Sequence, residues 1–159
     1  MADHLHVSFA GIPSSAGNLE ITIAGQTSAS TNQPVRCSFS GDTTSGHYTF
    51  TINNGFPTNS FNSNAYNSSN TAFYFGNLVT SASSNLIPGI IDATIQNYAG
   101  TTFYKGVWGS DDYWVSGSSY MSWEAYSGVW TNTGAVTSMS CALDSGNFVA
   151  KTAFTLSAR

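Results

Sequence analysis

Apolar and polar residues alternate along most of this chain, and the alternation predicts strands. In "HLHVSFA", Leu5, Val7 and Phe9 share one face while His4, His6 and Ser8 share the other. "NLEITIAG" repeats the pattern through Leu19, Ile21 and Ile23, "PVRCSFS" through Val35, Cys37 and Phe39, and "HYTFTI" through Tyr48, Phe50 and Ile52. Further runs follow in "AFYFGNLV", "GIIDATIQNY", "TTFYKGVW", "YMSWEAY", "AVTSMSCAL" and "FVAKTAFTL", the last with Phe148, Phe154 and Leu156 expected on one face. Turns rich in Gly, Ser and Asn separate them. No segment carries the 3.6-residue apolar period of an amphipathic helix. Eight to ten short strands in one all-β domain spanning residues 1–159 point to a jelly-roll-like β-sandwich.

The stretch from about 53 to 71, "NNGFPTNSFNSNAYNSSN" in its core, breaks the pattern, because Asn and Ser crowd isolated Phe and Tyr. A long loop is expected there, and long loops in compact domains tend to be functional. It either runs along a sheet edge or lies across a neighbouring subunit.

Composition supports this picture and narrows the partners. Only 8% of residues are charged, against roughly 25% in an average soluble domain. Aromatics supply 14%, too many for a disordered chain. A formal charge of −4 with four Lys and Arg gives no basic footprint for nucleic acid and no polybasic patch for anionic lipid. No apolar run approaches a membrane span, and "MADHLHVSFAG" has neither the basic region nor the apolar centre of a secretory signal. Cys37 and Cys141 sit on apolar alternating faces without a CxxC pattern. Two buried free thiols are the expectation, with a single disulfide left open.

Candidate chemistry is sparse. "FSGDTTSGHY" sets Asp42 and His47 five residues apart, but Asp and Gly are turn formers, so "GDTTSG" is expected to connect two strands, with His47 facing away from Tyr48 and Phe50. His4 and His6 would share a strand face, but Asp3 falls on the other, which favours a surface or interface pair over a metal site. Asp111 and Asp112 form the sole adjacent acid pair, and "WGSDDYWVSG" reads as a turn, so paired-carboxylate glycoside hydrolysis is not expected. No motif for a phosphate loop, dinucleotide, zinc protease or calcium loop is present. The reading is therefore of a non-enzyme without cofactor or metal.

The densest feature is aromatic: Trp108, Tyr113, Trp114, Tyr120, Trp123, Tyr126 and Trp130. Core or subunit interface is the first reading and a ligand platform the second, with Trp108, Tyr113, Trp114, Trp123 and Trp130 as its residues. His4, His6, Phe56, Phe61 and Tyr66 are candidates for contact with a neighbour.

The C-terminal run "SGVWTNTGAVTSMSCALDSGNFVAKTAFTLSAR" resembles the closing strands of a domain found in tailed-bacteriophage virion proteins. The matching residues are Trp130, Asn132, Thr133, Ala135, Val136, Thr137 and Ser138, then Gly146, Asn147 and Phe148. Phe39, Gly41, Asp42, Thr43 and Tyr48 are similar to that family's "F-GDT---Y" turn, and "DHLHVSF" and "IQNY" to comparable strands. Two features depart from it: the chain ends "FTLSAR" rather than in an "LYG"-like tripeptide, and Lys151 stands where a small residue is common.

The resemblance implies a jelly-roll module, commonly a homotrimer, on the virion surface and assembled in the bacterial cytoplasm. There, two reduced cysteines would be expected. A capsid decoration (cement) protein binding the major capsid protein is the favoured role, because the domain pattern starts almost at Met1 and leaves no tail-anchoring region. The alternative is a head- or tail-fibre module reading host glycan with the aromatic cluster. A sandwich-fold cellular lectin ranks third.

Overall fold

A computed structural model describes residues 6–14, 17–55, 61–66, 70–82 and 87–159, with backbone alone for 61–66. The described residues form eleven strands and no helix. They are β1 (His6–Ala10), β2 (Asn18–Thr27), β3 (Gln33–Phe39), β4 (Tyr48–Gly55), β5 (Phe61–Tyr66) and β6 (Phe73–Thr80), then β7 (Gly89–Gln96), β8 (Lys105–Trp114), β9 (Met121–Trp130), β10 (Ser138–Leu143) and β11 (Ala153–Ala158).

One layer is ordered β1-β10-β3-β6 and the other β11-β2-β7-β8-β9-β4-β5. Neighbours pair antiparallel throughout, except where β6 joins β2 in a short parallel bridge at Gln26–Val79 and Thr27–Thr80. The result is a jelly-roll-like β-sandwich. Alternation decides which side chains enter it. Leu19, Ile21 and Ile23 of β2, Val35, Cys37 and Phe39 of β3, and Tyr48, Phe50 and Ile52 of β4 are all buried. Each large apolar side chain removed from water contributes roughly 1.5–3 kcal/mol. The centre is aromatic. Phe39 meets Tyr48, Phe75 and Trp130, while Phe73 meets Phe50 and Tyr126.

Five expectations change. β5 lies inside the predicted 53–71 loop, pairing with β4 from Phe50–Tyr66 to Gly55–Phe61. Its sequence lacks an apolar stripe because an edge strand is held chiefly by its backbone ladder. Thr101–Tyr104, expected to open a strand, instead forms the turn before β8. The run "FVAKTAFTL" is broken by a turn at which Lys151 has φ +79°, and only its second half is strand. Phe148 nonetheless packs edge-on against Phe154, with ring centres 5.1 Å apart. Asp111 and Asp112 lie within β8 rather than in a turn.

The fifth correction concerns the cysteines. Both are fully buried, as expected, but they are bonded to each other. Cys37 and Cys141 are direct register partners on β3 and β10, with Cα atoms 4.1 Å apart. Residues remote in sequence are thus set side by side, which linear spacing did not reveal.

Candidate functional site

The Asp42–His47 turn is a structural knot. Asp42 Oδ1 accepts from the Thr44 amide at 2.9 Å, while Oδ2 accepts from Trp130 Nε1 at 2.8 Å and Asn132 Nδ2 at 3.3 Å, with His47 Nδ1 at 2.7 Å. Tyr48 donates its hydroxyl to the Asp42 carbonyl and accepts from the Phe39 amide. Burial alone would raise the Asp42 carboxyl. The bonds from His47, Thr44 and Trp130 outweigh it and hold the group well below the usual carboxylate range. His47 faces this acid and is half-buried, while Tyr48 and Phe50 are buried in the sandwich.

A second acid group was not anticipated. Asp111 and Glu124 are register partners across β8 and β9, and both point into the sandwich. Glu124 accepts from Tyr113 at 3.1 Å, from Asn77 Nδ2 at 3.2 Å and from Tyr74. The Asn77 amide donates to Asp111 Oδ2 at 2.5 Å, and Asp111 Oδ1 is buried without a partner among the described residues. Desolvation, followed by the neighbouring Glu124, pushes the Asp111 carboxyl up to about 8. Desolvation also raises Glu124, against the pull of its tyrosine donors. Room for Asp111 comes from Gly76, which sits at φ +115° beside the β3–β6 register shift. A Cβ there would lie 2.6 Å from that of Asp111. One signal in the sequence marked Glu124: it shares strand parity with Ser122 and Tyr126, on a face that is buried.

The aromatic cluster divides by face. Tyr113, Tyr126 and Trp130 belong to the interior. Trp108 and Trp123 are exposed on the outer face of the larger layer, and Trp114 is half-buried there, its Nε1 donating to the Ser118 carbonyl. Trp123 lies over Gly55 of β4, where any side chain would collide with the indole. Around the β8–β9 turn, Tyr120 and Met121 are exposed as well. At the other end of β8, the loop 101–104 exposes Phe103 and Tyr104, at 71% and 57%. That loop is held by Lys105, which is fully buried with Nζ donating to the carbonyls of Phe103 at 2.7 Å and Thr133 at 3.1 Å. Burial pushes the Lys105 amine down. No local pattern marks Phe103, Tyr104 and Lys105, because "TTFYKGVW" reads as one alternating strand.

Of the proposed neighbour contacts, His6 is exposed on β1. Phe61 and Tyr66 belong to β5 by backbone pairing, whereas His4, Phe56 and the side chains of Phe61 and Tyr66 lie outside the described residues. Among the described residues, no group of three or more His, Cys, Asp or Glu is placed to hold a metal ion, and no helix is long and apolar enough to cross a membrane. Compared with family models, curated proteins and solved structures, the chain matches none.

Proposed function

We propose that this chain is a capsid decoration protein of a tailed bacteriophage, a homotrimer that binds the outside of the shell and ties neighbouring major capsid subunits together. One observation carries the reading: exposed large apolar side chains, most of them aromatic, crown both ends of the β8–β9 ladder. Phe103 and Tyr104 stand at one end, Tyr120, Met121 and Trp123 at the other. From Lys105 to Trp114, the partner of Met121, β8 spans about 30 Å, and Trp123, the partner of Asp112, stands about 23 Å from the Lys105 end. A cement protein has to grip two partners at once, and apolar side chains left in water on a monomer mark such contacts.

The resemblance to virion proteins adds support. Its two separate motifs, the "GDT" turn and the Trp130–Asn132 segment, meet at the carboxylate of Asp42. The action is binding energy alone: apolar area buried on the shell, less the cost of ordering, multiplied by many copies.

The test is to add the purified protein to shells that lack it and image them by cryo-electron microscopy. Regular density at local symmetry axes, together with a raised melting temperature of the shells, is expected. Phe103→Ser and Tyr104→Ser should each weaken occupancy by more than tenfold without lowering the melting temperature of the free protein, and Trp123→Ser should weaken it as much with only a small fall in that temperature. Bare shells would overturn the assignment.

A further inference from the structure

Between the two aromatic ends, on the same outer face, lies an open groove of about 430 Å³. Trp108 forms one wall, and Glu20, Thr22, Asp92, Thr94 and Ser110 supply its polar groups. We propose that this groove is a carbohydrate-binding site for a neutral saccharide, with Trp108 as the stacking platform and Asp92 as the principal hydroxyl acceptor. The inference does not depend on the decoration role.

Strand register sets the geometry. Glu20, Thr94 and Trp108 lie in one cross-strand row of β2, β7 and β8, and Thr22, Asp92 and Ser110 lie in the next. Trp108 and Asp92 are thus diagonal neighbours, about 7–8 Å apart, a span that one sugar ring fills when its C–H face rests on an indole and its rim hydroxyls reach a carboxylate. The volume falls within the range of small-ligand sites, and the lining joins one aromatic surface to a few convergent polar groups.

The acceptor is fixed in advance. Thr22 Oγ1 donates to Asp92 Oδ1 at 2.6 Å, which orients the carboxylate. From inside the sandwich, the Tyr126 hydroxyl donates to the Asp92 carbonyl at 3.1 Å, and Gly109 leaves the space through which it reaches. Little ordering cost remains for the ligand to meet.

Charge selects the class of sugar. Asp92 and Glu20 make the groove acidic, and the cation paired with Glu20 is the exposed Arg159 at 3.1 Å. A sialylated, uronic or phosphorylated glycan would meet repulsion, whereas a carboxylate accepts well from two adjacent hydroxyls.

The experiment is binding of the full chain to an array of defined neutral and acidic oligosaccharides, with melting temperature and oligomeric mass measured for each variant. Retention of neutral members is expected, with at least a tenfold loss for Trp108→Ala and for Asp92→Asn. Asp112→Asn, which removes an exposed charge from the same face outside the groove, should bind as the parent does. Any of four results overturns the proposal. They are no neutral glycan held above the Trp108→Ala background, retention confined to acidic glycans, an equal loss in Asp112→Asn, or a change of oligomeric mass in Trp108→Ala with glycan binding intact. The last would make the groove a contact between copies of the chain.

Discussion

The indole N–H of Trp130 donates to the carboxylate of Asp42, 88 residues away in the chain, at 2.8 Å. The bond joins the end of β9 to the turn between β3 and β4, and the same indole stacks on Tyr48. A charged acceptor with several donors, shielded from water, contributes more than an exposed ion pair of the same length.

A double-mutant cycle over Asp42→Asn and Trp130→Phe should therefore return a coupling of about 1–2 kcal/mol in urea unfolding followed by fluorescence. Asp42→Asn alone should cost about 2 kcal/mol. Because the folded carboxyl is depressed, its stabilisation is present above the unfolded value near 4 and is lost as pH falls through the folded one. The parent should weaken in acid more steeply than Asp42→Asn does. Coupling indistinguishable from zero would show that the indole bond is incidental.

Asp111 has the opposite sign. Its folded carboxyl is raised to about 8, so the protonated form is favoured in the folded state. That stabilisation is complete below about pH 4 and drains away as pH rises through 8. Asp111→Asn removes the ionisation in nearly the same shape. Its melting temperature should match the parent near pH 3 and exceed it increasingly from pH 5 to pH 9. Parallel pH–melting curves for the two proteins would contradict the assignment.

The bond between Cys37 and Cys141 closes a loop with a sequence separation of 104 residues. Constraining an unfolded chain over that length contributes on the order of 4–5 kcal/mol. Replacing both cysteines with alanine should lower the urea midpoint accordingly. Both sulfurs are buried, so the folded parent should resist dithiothreitol and become reducible once unfolded. Rapid reduction under native conditions, followed by mass spectrometry, would count against the buried placement.

Much of this architecture was legible from alternation, because a sandwich face imposes a period of two. β2, β3 and β4 fall where their apolar residues do. Parity also separates Trp108 and Trp114 from Tyr113, which is why one aromatic cluster becomes an interior group and an outer surface. β5 was hidden because Asn62, Ser63 and Asn64 make a polar strand paired to β4 through its backbone. Asp111 was hidden for another reason. "SDD" has turn chemistry, and what makes an inward acid tolerable is the Asn77 amide and the space at Gly76, 34 residues or more away. The Trp108 groove needed the register of three strands, which no local pattern specifies.

The covalent tie between β3 and β10 also changes how the molecule carries force. A pull applied between the two ends of the chain would run through the sulfur–sulfur link and leave everything between Cys37 and Cys141 slack. Most of the outer face, with Trp108 and both aromatic ends, lies inside that unloaded ring. A protease cut within the ring would likewise leave both fragments joined. Trp108 and both aromatic ends are thereby insulated from tension and from a single break in the backbone, whereas the β2 wall of the groove, Glu20 and Thr22, stays on the loaded path.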